Sequence, residues 1–521
     1  MLSRRDMIKL GLLSVPALRY GGSVREANWI PEAGNGDFPS PSSVPFQDPL
    51  PIPPVLTPSA TPPTGAPTFT DATEYYQIEM KEGELSIFHV GPPTRIWGYN
   101  GLCPGPTIVA QRDRRTVVRF TNHLPGNNNA VIHHHGGHTP PSSDGFPNSH
   151  IKPGQYQDYV YPNDGLVAAP LWYHDHTMDL TGRNVYMGLA GVYLLQDEFE
   201  KSLPLPKGEF DVPLLIQDRR FNADNSLSYN PFQFDGVLGD RFLVNGAIQP
   251  FFQVANRKYR FRFYNGSNAR LYEFFLSRDP SRADLSPGQF VQIGSDQGLL
   301  PRPVTRSSFR IAMAERIDVV IDFSAYQPGT EVFLLNCLQQ TEGTGPDGVN
   351  PHACTPIMRF DVVNGPLDDS SIPDPLILQN PNFHVIHPQE AVITRQFVFD
   401  GSPWVINDAL FDPDQVSHDL NGRPVTPKLN TVEIWRLIND GGGWVHPIHI
   451  HDEPFMILDR NGRKPSPWED GLKDTVLLGP DDQVRVMIKF RGENNVGRYV
   501  FHCHNMEHED MRMMAAFEVV R

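Results

Sequence analysis

An all-β fold of three related β-sandwich domains is predicted from three observations: period-two alternation, abundant helix breakers, and a short motif recurring at domain-sized spacing. Val484, Val486, Ile488 and Phe490 alternate with Gln483, Arg485, Met487 and Lys489, and Tyr259, Phe261 and Phe263 alternate with Arg260 and Arg262. Successive side chains of a strand point to opposite faces, so these runs read as half-buried strands. The chain holds 51 prolines and 43 glycines in 521 residues, and both types break helices. Arg119-Phe120-Thr121-Asn122, Arg262-Phe263-Tyr264-Asn265 and Arg436-Leu437-Ile438-Asn439 share Arg-apolar-x-Asn at predicted strand ends. One such match is within chance for a β-rich chain; three at this spacing indicate an internal repeat.

The predicted domains follow from that repeat. Residues 70–200, 206–363 and 390–521 form the first, second and third, with a linker at 364–389. Residues 36–69, rich in Pro, Ser and Thr, read as an extended and poorly packed linker. Residues 1–35 hold a predicted twin-arginine export signal: Ser3-Arg4-Arg5-Asp6-Met7-Ile8-Lys9 precedes an apolar run from Leu10 to Leu18. That run is too short to cross a bilayer, which takes about 20 apolar residues. The expected destination is the periplasm, the cell surface or the exterior.

The formal charge of −16 argues against nucleic acid as a partner, because phosphates call for a basic surface. Acidity otherwise reads as solubility. Four cysteines are too few for a disulfide scaffold. Cys337 and Cys354 flank a Gly/Pro/Asn-rich insert and can bridge it only in an oxidising compartment; spacing alone leaves that pairing open. Cys103 is expected to be a buried free thiol.

The chemistry concentrates in histidine. Of 19 histidines, ten fall in four clusters: His133 and His135; His174 and His176; His446, His449 and His451; and His502, His504 and His508, with Cys503 and Met513 in the same stretch. A His-x-His pair on a strand aims two imidazoles at one face. One pair alone is more often packing than a metal site, but four clusters are not chance. The second predicted domain carries Leu271-Tyr272-Glu273-Phe274-Phe275 in the comparable region, so the metal chemistry belongs to the first and third. A thiolate, two imidazoles and a weak thioether form the ligand set of a blue copper site. Zinc more often uses paired cysteines, and none lies near Cys503.

The motifs His-x-His-Gly, His-x-His, His-Pro-x-His-x-His and His-Cys-His-x₃-His-x₄-Met closely resemble the multicopper oxidase family. The nearest resemblance is to the three-domain bacterial laccases of the spore-coat type, with bilirubin oxidase and phenoxazinone synthase as relatives, and it runs from about Tyr75 to the C-terminus. It implies cupredoxin-like Greek-key domains and four copper ions. It implies that His446, Cys503, His508 and Met513 bind a type 1 copper and that His133 and His449 bind a type 2 copper. His135, His174 and His504 would bind one type 3 copper; His176, His451 and His502 would bind the other. Glu509 and Asp144 match family acids that relay protons; the plain alternative for each is a solvated turn carboxylate.

The implied reaction takes four electrons, one at a time, from a small phenolic or aromatic amine donor and reduces dioxygen to two waters. The chain is expected to act as a monomer. A metal-ion donor, Mn(II), Cu(I) or Fe(II), is the alternative, with Asp452 and Glu453 as a candidate hard-cation site. An enzyme that doubles as a coat component also stays open. A copper nitrite reductase would need fewer histidines, and a purely structural relative would have lost ligands. His134 is expected on the face opposite its neighbours, and His138 near the site or in a loop.

Overall fold

The computed structural model describes residues 39–286, 289–401 and 403–521; the predicted export signal lies outside the described residues. The fold is all-β, with three cupredoxin-like sandwiches. The longest helix among the described residues, Thr181–Met187, has seven residues. In the first sandwich a sheet of Thr94–Tyr99, Thr73–Leu85, Arg115–His123 and Tyr156–Tyr161 lies opposite one of Gly105–Gln111, Ala190–Gln196, Ala169–Asp175 and Ile132–His135. The second pairs sheets of seven and five strands, and the third pairs sheets of six and four. Each has its own apolar core, built around Phe120 and Tyr173, Phe261 and Phe360, and Trp435 and Phe517.

The recurring motif does the same work three times. Arg115–His123 runs parallel to Thr73–Leu85, Lys258–Asn265 to Asp211–Arg219, and Val432–Asn439 to Ala391–Gly401. Each motif strand then takes an antiparallel partner on its other side. The asparagine at its end closes the following turn. The Asn122, Asn265 and Asn439 amide oxygens accept from the backbone N–H two residues on, at 2.9, 3.0 and 2.9 Å. Their NH₂ groups each donate to two carbonyls, one a few residues on and one in a later segment. An amide is the side chain that offers acceptor and donors at one point, which explains why the motif ends in Asn.

Two segments differ from expectation. Residues 39–69 are extended but not poorly packed: Phe46 and Leu50 donate to Gln249 and Phe251, Leu56 donates to Thr107, and Leu50 is buried. The stretch predicted as a second linker is also bound down. Leu376 and Ile377 are buried, Leu376 donates to Pro301, and Asp368 pairs with Arg257. Prolines remove donors but leave carbonyls and rings, so a Pro-rich arm can still lie against a sheet edge. Cys337 and Cys354 form a disulfide. Cys103 is free but only partly buried.

Candidate metal centres

Register brings the histidines of each sandwich together. His133 pairs with His174 across neighbouring antiparallel strands of the first, and His449 with His502 in the third. Alternation then sorts the side chains. His133 and His135 face the third sandwich, and His134 is turned into the first, between the Tyr161 and Tyr193 rings at 4.3 and 4.2 Å. Gly136 follows with φ of 82°; a Cβ there would lie 2.6 Å from both Asp474 Oδ2 and Gln297 Nε2. All ten predicted ligand histidines are at most 1 % exposed.

Eight of them meet between the first and third sandwiches. Three all-histidine groups have converging ligand atoms: His133, His135 and His449; His135, His174 and His504; His176, His451 and His502. Tautomers decide what these atoms can hold. Nδ1 of His133, His449, His174 and His502 faces the backbone carbonyls of Asp144, Asp474, Asp175 and Cys503 at 2.6, 2.8, 2.8 and 3.1 Å. Nδ1 of His451 faces Asp144 Oδ2 at 2.8 Å. An oxygen acceptor fixes the proton on Nδ1 and leaves a bare lone pair on Nε2. Nε2 of His133 and of His449 point at each other, and Nε2 of His451 and of His176 both point at His502 Nε2, each at 3.2 Å.

Protonation cannot relieve this crowding, because burial disfavours the imidazolium and holds His449 down to about 3 and His174 to about 4. Among the described residues neither nitrogen of His504 has a hydrogen-bond partner from another residue. Convergent lone pairs in a buried site fit a metal cation.

The fourth group is His446, Cys503 and His508. Cys503 Sγ lies 3.5 Å from His446 Nδ1 and 3.6 Å from His508 Nδ1. Met513 is fully buried beside them; its N–H donates to the His508 carbonyl at 2.9 Å and its carbonyl accepts from Cys503 at 3.1 Å. Among the described residues Nε2 of His446 has no hydrogen-bond partner, while the backbone of Asp235 approaches His508 and, against the larger effect of burial, favours its charged form. The Trp404 ring stacks on His508 at 3.7 Å and 24°, and Phe234 of the second sandwich stacks on Trp404 at 4.7 Å.

The helix Met506–Asp510 locks the two centres together. Glu507 accepts from Tyr229, Val237 and Asn268 of the second sandwich at 3.0, 2.9 and 2.8 Å. Asp510 accepts from Thr181 and Gly182 of the first at 2.8 and 2.9 Å. Between them, Glu509 has one oxygen 3.3 Å from His176 Nδ1 and the other 3.1 Å from His502 Nδ1. Asp144 is wholly buried, and burial pushes its carboxyl well above the usual range. Neither acid is a solvated turn carboxylate.

Asp452 and Glu453 do not form an open pair for a hard cation. Arg491 clasps Glu453, His138 Nε2 lies 3.3 Å from it, and Asn495 donates to Asp452 at 2.6 Å. His138 is buried; burial opposes its charge, but Glu453 and Asp164 outweigh it and hold the imidazole well above its ordinary value. Sequence reasoning missed Asp474, Trp404 and the whole contribution of the second sandwich. Their residue types carry no motif, so spacing offered no signal for them.

A buried cluster of converging imidazoles between two cupredoxin-like sandwiches, beside a Cys-His₂ centre, defines a copper oxidase class. Family models for multicopper oxidase match residues 81–200 and 387–521. A laccase of Bacillus stratosphericus is 37% identical over 91% of this chain and 99% of its own length. A bilirubin oxidase of Albifimbria verrucaria is 38% identical over 92% of this chain and 82% of its own. A crystal structure of a laccase from Pediococcus acidilactici superposes with a TM-score of 0.78 at 31% identity, covering 94% of this chain and 97% of that one. The chain belongs to the multicopper oxidase family, and is a copper-dependent oxidoreductase with dioxygen as acceptor.

Proposed function

We propose that the chain is a laccase-like oxidase. It takes four electrons, one at a time, from a phenolic or aromatic amine donor and reduces dioxygen to two waters. The observation that carries this reading is the position of Cys503: its sulfur faces His446 and His508 while its sequence neighbours His502 and His504 face the eight-histidine cluster. Two centres joined by one peptide stretch suit a division between electron entry and dioxygen reduction.

His446, Cys503, His508 and Met513 would hold a type 1 copper, and His133 and His449 a type 2 copper. His135, His174 and His504 would hold one type 3 copper; His176, His451 and His502 would hold the other. Copper bound there supplies one-electron redox chemistry and a place for dioxygen. The protein's own part is orientation and protons. Asp144 holds His451 through Nδ1, and Glu509 spans His176 and His502, so each sits where water formation consumes protons. Trp404 stacks on the buried His508 and Phe234 on Trp404, so an aromatic face covers that side of the type 1 site.

Oxygen uptake by copper-loaded protein, scored with phenols, aromatic amines, bilirubin, Mn(II), Fe(II) and Cu(I), tests the reading. Blue absorbance with uptake on phenols or amines is expected. Absence of both sinks it, and uptake on metal ions alone would move it to a metallo-oxidase. The engagement of Asp452 and Glu453 by Asn495, Arg491 and His138 supports the organic-donor reading over a hard-cation donor at that pair. The same reading places the protein outside the cytoplasm as a monomer; the Cys337–Cys354 disulfide supports an oxidising compartment. Among the described residues no helix is long and apolar enough to cross a membrane.

A further inference from the structure

The second sandwich carries none of the predicted ligands, yet it reaches the cluster. His135 is turned differently from its neighbours. Its Nε2 lies 3.0 Å from Asp474 Oδ1, and its Nδ1 is the atom facing His174 Nε2, at 3.3 Å. The same aspartate accepts from His449 Nδ1 through its backbone carbonyl at 2.8 Å. Asp474 therefore sets two imidazoles at once, one through its side chain and one through its main chain.

Asp474 is itself held from the second sandwich. Arg316 makes two parallel bonds to its carboxylate, with Nη1 2.7 Å from Oδ1 and Nη2 on Oδ2. Gln297 Nε2 donates to Oδ2 at 2.7 Å. Arg316 is fully buried and has no freedom left: its remaining N–H groups donate to the carbonyls of Pro170, Ala314 and Asp296 at 2.9, 2.9 and 3.0 Å. Pro170 belongs to the first sandwich, so one guanidinium touches all three.

We infer that Arg316 and Gln297 are positioning residues that fix Asp474, and through it both the Nδ1-inward orientation of His135, which would serve a type 3 copper, and the main-chain hold on His449, which would serve the type 2 copper. A carboxylate without this clamp is free to rotate, release His135 and compete as a ligand itself. Only a planar fork makes the two parallel bonds, so lysine cannot replace arginine here. This rests on the reading of the cluster as a copper site. It goes beyond that reading by giving the ligand-free second sandwich a role in the chemistry.

The test compares full-length, copper-loaded wild type with Arg316→Gln, Arg316→Lys and Gln297→Met by copper analysis, electron paramagnetic resonance and absorbance. Outer partners of metal ligands typically matter by about 10–100-fold in metal affinity. The expected result is that Arg316→Gln and Arg316→Lys keep the blue band per folded protein. They should lose the type 2 signal, or release that copper to a chelator at least about tenfold faster. Gln297→Met leaves the ion pair in place and should shift the type 2 hyperfine splitting or speed release by a smaller factor. It decides the matter should the arginine variants not fold. Unchanged type 2 spectra and release in the folded variants would overturn the inference and leave Arg316 as interdomain packing. Wild type that binds no copper would instead overturn the functional reading, and the inference with it.

Discussion

The two candidate centres lie side by side yet are held by opposite means. Around the eight-histidine cluster most imidazoles have their second nitrogen tied to an oxygen: Asp144 and Glu509 carboxylates, Asp474, or backbone carbonyls. Around Cys503, among the described residues, no carboxylate is hydrogen-bonded to His446 or His508, and orientation comes from the Trp404 stack and an apolar core. A polar shell suits a site where dioxygen must gain protons as well as electrons. An apolar shell suits a site that passes electrons alone, because it has few dipoles to reorganise. The contrast teaches that ligand type does not settle a centre's role; what grips the ligand's far side does.

The comparison breaks first at Cys503. Cys503→Ser should abolish blue absorbance and turnover together; persistent oxygen uptake would contradict the electron path through that residue. Next is the polar shell. Asp144→Asn keeps the shape but not the proton, and should lower turnover by about 10–100-fold with the blue band unchanged. A loss of the blue band in that variant would show that the two shells are not separable.

Trp404→Leu probes the apolar shell. Such a stack contributes about 0.5–1.5 kcal/mol beyond burial, so type 1 copper retention should fall by up to about tenfold while the type 2 signal stays as in wild type. The smallest functional effect is expected from Cys337→Ser with Cys354→Ser. The bridge closes a 17-residue separation, so its loss should cost about 3 kcal/mol of stability and lower the melting temperature. Turnover should stay within about twofold, since both cysteines pack with Phe275 and Phe333 in a cluster apart from the histidines. A parallel fall in turnover would mean that the second sandwich transmits strain to the centres.

Much of this was legible in the chain. Alternation predicted the strands, and the Arg-apolar-x-Asn motif predicted a repeat whose asparagines do the same job three times. The opposed faces of His133 and His134 followed from period two. The clusters of histidines followed from spacing because each His-x-His pair is local. The clamp on Asp474 was not legible, because Arg316, Gln297 and Asp474 come from distant strands and none stands in a motif. Glu453 read as a candidate cation ligand for the same reason: its partners Arg491 and His138 are far away in sequence, and only folding shows that its charge is already matched. The packed arm at 39–69 escaped notice because composition reports how a segment behaves alone, not which sheet edge is waiting for it.

The sequence by itself determined the chemistry on offer: the ligand types, their faces, and the bond path from Cys503 to His502 and His504. Those are short-range properties, set by side-chain identity and strand periodicity. Tertiary structure decided how that chemistry is held. It chose which nitrogen each imidazole turns inward, buried Asp144 against His451, brought Arg316 to Asp474, and laid Trp404 over His508. Each of those depends on contacts between residues far apart in the chain, where hydrogen-bond partners and packing surfaces are assigned only once the three sandwiches meet.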